Sequence, residues 1–93
     1  MLTFDEAKRI GITTCINTLG VDFVKKFAAT SSSAYGYSED GESVFCFVGV
    51  DNTPQPEFDG KTLTLTSEIF PYRVSCDVSL HNGNTVLLEC VTP

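Results

Sequence analysis

The chain has 93 residues, 42% of them hydrophobic and 19% charged, enough for one small domain with a single core and too few for a second. That balance excludes a disordered chain, which lacks the apolar surface to offset its entropy. The net charge of −6 argues against nucleic acid as a partner, because affinity for phosphate comes from Lys and Arg displacing counterions.

The opening Met-Leu-Thr-Phe-Asp-Glu is acidic where a secretory signal is basic, and no apolar run long enough to span a bilayer follows. A cytoplasmic protein with no membrane partner is therefore expected. Thr3 and Glu6 have the spacing of a capping box, with Asp5 and Glu6 placed to favour the positive end of the helix dipole. A helix is predicted over about 3–19, with Ala7, Gly11, Thr14 and Thr18 as a stripe of small side chains that lets it lie close to whatever it covers. Gly20 is its expected C-cap. Asp22 then starts a short second helix over about 22–29, and the Ala-Thr-Ser-Ser-Ser run at 29–33 reads as a linker.

Residues 34–38 form a short strand that leads through the turn Glu39-Asp40-Gly41-Glu42 into a second strand, 43–50. This second strand, Ser43 to Val50, is apolar on both alternating faces, as for a strand buried above and below. If helices cover one face, something else must cover the other: a curl of the sheet, the loop after Asp51, or a second subunit. The last of these predicts an apolar patch around Phe45 or Val48 in a lone chain. Pro54 and Pro56 place a loop before the Thr-rich strand 61–67, whose alternation makes one sheet face wet. Alternation resumes over 72–80, and a turn at His81 to Asn84 leads to a last strand, 85–91. A three-residue loop with Gly83 at a bulge sets Val78 beside Val86, Cys76 beside Leu88 and Val74 beside Cys90. That register keeps Glu89 off the core face, near Ser75 and Arg73. Helices followed by hairpin-linked strands predict an α+β fold: two helices on one face of a four- to five-stranded antiparallel meander.

The residues that could carry chemistry do not assemble into a motif. Cys15, Cys46, Cys76 and Cys90 include no Cys-x-x-Cys pair and sit among apolar neighbours, so buried reduced thiols are expected over a Cys76–Cys90 disulfide or a metal site. The one histidine, His81, lies at a hairpin tip without a nucleophile in reach. The acids at Glu39, Asp40 and Glu42, and at Asp51, Glu57 and Asp59, lack calcium-loop spacing. Phosphate-loop, dinucleotide and hydrolase-elbow motifs are all absent. Lys8, Arg9, Lys25 and Lys26 read as solvated helix faces. No catalytic residue, cofactor or metal ligand is therefore assigned.

Two groups of residues stand out as places for function. Tyr35, Tyr37, Phe70 and Tyr72 could form an aromatic interface or a pocket rim. Gly11, with Phe45 and Phe47, could line a pocket between the helices and the sheet. Three functions follow. The first is a non-enzymatic protein-interaction or self-assembly module, a possible homodimer, using an open strand edge or the wet sheet face; the Thr-rich strand 61–67 motivates it. The second is a ligand-binding protein or enzyme using that pocket. The third is an acidic inhibitor of a basic protein.

Overall fold

The computed structural model describes residues 1–52 and 70–93. Helix α1 runs Phe4–Leu19, followed by α2 (Val21–Lys26) and a 3-10 turn at Ala28–Thr30. Four strands follow: β1 (Ser31–Tyr37), β2 (Ser43–Val50), β3 (Tyr72–Ser79) and β4 (Thr85–Val91). They pair antiparallel in the order β1-β2-β3-β4, so the α+β meander expected from the sequence is the fold. The strand expected over 61–67 and the Pro-rich loop before it lie outside the described residues.

The capping box forms as its spacing requires: the Glu6 amide donates to Thr3 Oγ1 and the Thr3 amide donates to Glu6 Oε1. Gly20 ends the helix at φ +105°, a backbone conformation L side chains resist, and its amide closes the last turn on Ile16. The residues α1 buries are Ala7, Gly11, Cys15 and Leu19, one every four positions. The stripe thus turns from the expected Thr14 and Thr18 toward Cys15 and Leu19. Both threonines bond back to carbonyls of their own helix instead, Thr14 to Ile10 and Thr18 to Thr14.

The core lies between α1 and the two central strands. Val44, Cys46, Val48 and Val50 of β2 and Val74, Cys76 and Val78 of β3 are buried there. Burial of each Val contributes roughly 1.5–3 kcal/mol relative to leaving it exposed. At its closest point α1 presents only Gly11: a Cβ there would sit 2.3 Å from Cys46 Sγ, 2.9 Å from Cys46 Cβ and 3.1 Å from Val78 Cγ2.

Two details differ from the sequence reading. Residues Ser31 to Ser33, expected to be linker, begin β1, because Val48, Gly49 and Val50 need backbone partners and Ser33, Ser32 and Ser31 supply them. The β3–β4 register is reached in two steps. Near the turn, Val78 faces Thr85 and Cys76 faces Leu87; Leu88 is then an extra residue, after which Ser75 faces Glu89 and Val74 faces Cys90. The expected pairs Val78–Val86 and Cys76–Leu88 are therefore each one residue off, whereas Val74–Cys90 and the placement of Glu89 near Arg73 are observed. A bulge inside β4, rather than at Gly83, makes the shift. Gly83 instead closes a longer loop at φ +76°, its amide donating to Ser79.

The second face of β2 is covered differently from the first. Phe47 and Gly49 point away from α1, and Phe70 lies on them, its ring 5.8 Å from Phe47 and within 2.5 Å of where a Gly49 Cβ would stand. Phe45 is half-buried and Val48 buried, so the apolar patch expected at those two residues is not there.

Replacing Gly11 with Ala should test the closeness of α1. Overpacking outweighs the roughly 1 kcal/mol that Ala gains over Gly in a helix, for a net loss of about 1–2 kcal/mol. That loss would be read as a lower urea midpoint at unchanged m-value. Combined with Cys46→Ala, which removes the nearest atom, the loss should be less than additive.

Candidate functional site

The sequence-selected aromatics do not form one rim. Tyr37 and Tyr35 gather around Phe4, with ring centroids 4.7 and 6.1 Å away, at the β1–β2 turn end of the sheet. Tyr72 stands at the other end, edge-on to Phe23 at 5.2 Å. Phe70 is buried on the opposite face. Side-chain alternation along β2 likewise separates the expected pocket residues: Gly11 meets Cys46 on the helix side, while Phe45 and Phe47 project to the other side. Gly11, Phe45 and Phe47 therefore line no common space.

Three thiols come together instead, beneath α1. Cys15 Sγ lies 3.7 Å from Cys76 Sγ; Cys76 donates to the Gly11 carbonyl at 3.5 Å and Cys46 to that of Lys8 at 3.8 Å. All three act as small buried groups, and Cys46 and Cys76 also serve helix carbonyls while Cys15 donates to the Cys46 carbonyl in β2. Burial pushes the Cys46 thiol up to about 11 and the Cys76 thiol up to about 12, each raised further by the charge its neighbouring cysteine would carry; Cys15 is raised too, again mainly by burial. A buried thiol that keeps its proton is a poor nucleophile. Cys90 departs from the expected burial: it is exposed, because β4 lies at the sheet edge beyond the cover of α1.

The polar candidates have structural work. Asp40 accepts from Ser38 Oγ at 2.7 Å and from the Glu42 amide at 2.9 Å, bonds that hold its carboxyl below the usual range and shape the β1–β2 turn. His81 Nε2 meets the Glu42 carboxylate, linking the tips of the two hairpins, and Arg73 Nε donates to Glu89 at 2.7 Å. Among the described residues no group of three or more His, Cys, Asp or Glu side chains could hold a metal ion, and no helix is long and apolar enough to cross a membrane. Glu57 and Asp59 lie outside the described residues.

What remains is the two margins of the sheet. On β4, Val86, Leu87 and Leu88 are 61, 47 and 53% exposed, and Val91 is exposed beside them. Leu87 is not singled out in the sequence, and the expected register puts Val86 and Leu88 on the core face, beside Val78 and Cys76. Their exposure follows from strand order, which no local pattern encodes. On β1, Tyr35 and Tyr37 are exposed, with the Lys8 ammonium 4.2 Å above the Tyr35 ring.

No protein-family model, curated protein or solved structure matches the chain.

Thiol chemistry should follow burial. In the native protein near pH 8, one thiol of the four, Cys90, should react quickly with Ellman's reagent and the other three only after denaturation; two or more fast thiols would contradict the packing. Stability should also fall at alkaline pH. The folded state holds the Cys46 and Cys76 protons to about 11 and 12, while the unfolded chain loses them near 9.0. This contribution is complete below pH 9 and is lost as pH rises through the folded values. Urea midpoints across that window would show it.

Proposed function

We propose that the chain is a non-enzymatic interaction module that associates with a second copy of itself through the β4 margin. The observation behind this reading is the exposure of Val86, Leu87, Leu88 and Val91 along a strand that is an outer edge of the described sheet. Soluble proteins normally guard such an edge with charge or proline. On β4 the one charge, Glu89, is already held by Arg73, and no proline interrupts the strand. Among the described residues the Leu88 bulge is the single protective device, and it exposes a leucine while twisting the strand.

A second copy suits this margin because two antiparallel edges related by a two-fold axis present the same residues to each other. Each Glu89 would arrive with its own Arg73, so the pairing adds no unneutralised charge at that point. The net charge of −6 on each chain opposes the approach, and salt screens that repulsion.

Light scattering should therefore show a dimer that forms within the micromolar range and strengthens as salt is raised. Val86→Lys or Leu88→Lys should leave a folded monomer with little change in unfolding midpoint, since both side chains are exposed. A wild-type monomer at every concentration and salt level would end this reading.

A further inference from the structure

At the opposite margin, α1 and β1 leave a groove between them. Its wider part, about 460 Å³, is lined by Asp5, Lys8, Arg9, Ile12, Ser33 and Tyr35. A narrower continuation of about 180 Å³ shares Ile12 and Ser33 and runs on to Ile16, Val24 and Val48. Ile12, Ile16, Val24 and Val48 give the narrower part an apolar floor, whereas Thr13 and the charged residues make the wider part mostly polar; one wall is the β1 edge of the described sheet. Cations stand at the Tyr35 end.

The direction of the β1 backbone follows from the ladder. Asp51 N–H donates to the Thr30 carbonyl at one end and Ser38 N–H to the Ser43 carbonyl at the other. In the antiparallel register between them, the even-numbered residues of β1 exchange bonds with β2. The odd-numbered residues point their amides and carbonyls the other way. Ser31 N–H is taken by Ala28, so among the described residues Ser33 and Tyr35 are left presenting donors and acceptors outward, beside the groove they line. Nothing in Ser31 to Tyr37 guards this edge: the strand carries no charge and no proline.

Lys8 and Arg9 supply the sign. Neither is ion-paired with a carboxylate among the described residues; Lys8 rests on the Tyr35 ring, and Asp5 is the one acid in the lining. In a chain of net charge −6 the lining carries these two cations against the one acid Asp5, with Glu6 near enough to Arg9 to feel its charge, and so gives the groove a modestly positive end.

We propose that this groove takes an extended, acidic segment of a partner protein, which adds to β1 as an edge strand. Ser33 and Tyr35 supply the backbone bonds, Ile12, Ile16 and Val48 receive apolar side chains on alternate positions, and Lys8 and Arg9 meet a carboxylate. The site lies across the sheet from β4 and does not depend on self-association.

The test uses a fluorescent, acetylated hexapeptide of alternating Val and Thr ending in two Asp residues, with a second peptide ending in two Lys as its counterpart. Binding of the acidic peptide, with amide shifts at Ile12, Ser33 and Tyr35, is expected, and binding of the basic one is not. Arg9→Glu should weaken the acidic peptide about tenfold. Ser33→Pro removes an outward amide at an edge where proline is tolerated, and should abolish binding while circular dichroism stays native. Leu88→Lys should bind as wild type does. The proposal is overturned if neither peptide shifts these amides at millimolar concentration, if the basic peptide binds equally well, if Ser33→Pro folds and still binds, or if Leu88→Lys is the variant that loses binding.

Discussion

The close seating of α1 on the sheet is the contact on which the remaining geometry depends. Gly11 lets the helix come down until Cys46 and Val78 touch its backbone, and the thiols of Cys46 and Cys76 then reach the Lys8 and Gly11 carbonyls. Cysteine fits there for two reasons: it is small, and its S–H can donate weakly to a helix carbonyl without the desolvation cost of a stronger polar group. The same burial that makes these thiols good packing elements removes them from chemistry, since it pushes their ionisation to alkaline pH.

A single helix seated this way covers only part of the sheet. Helix diameter with side chains is about 10 Å, while neighbouring strands stand about 4.8 Å apart. One helix therefore shields roughly two strands. Those two are β2 and β3, which α1 contacts most. The outer strands are left only partly covered on the helix side, β1 beside the groove with Phe4 and Lys8 over its tyrosines, and β4 with its leucines exposed. The two functional proposals are thus consequences of one packing arrangement. They differ in chemistry because β1 brings serines near two cations, whereas β4 brings aliphatic side chains and one neutralised charge.

Local features of the sequence were legible where the physics is local. Thr3 and Glu6 announced the capping box, Gly20 the helix end, and the Gly41 turn the first hairpin, whose glycine takes φ +70°. The hydrophobic alternation of 72–80 and 85–91 announced strands but not which of them would be outermost. Val86 and Leu88 look like core residues in sequence, and the same alternation would describe a covered strand. Ser31 to Ser33 were illegible for the converse reason: serine has little strand preference, and its conformation here is imposed by pairing with β2.

The chain by itself determined the α+β class, the limits of α1, the antiparallel meander and the doubly apolar character of Ser43 to Val50, while the second helix, expected over about 22–29, ends at Lys26. Each of these depends on residues adjacent in sequence or on a period of two or four. Only the tertiary structure decided that Gly11 faces Cys46 while Phe45 and Phe47 face away, that three of the four cysteines cluster, and that β1 and β4 are the edges of the described sheet. Those outcomes depend on which strands lie under the helix, and that choice is made by long-range packing.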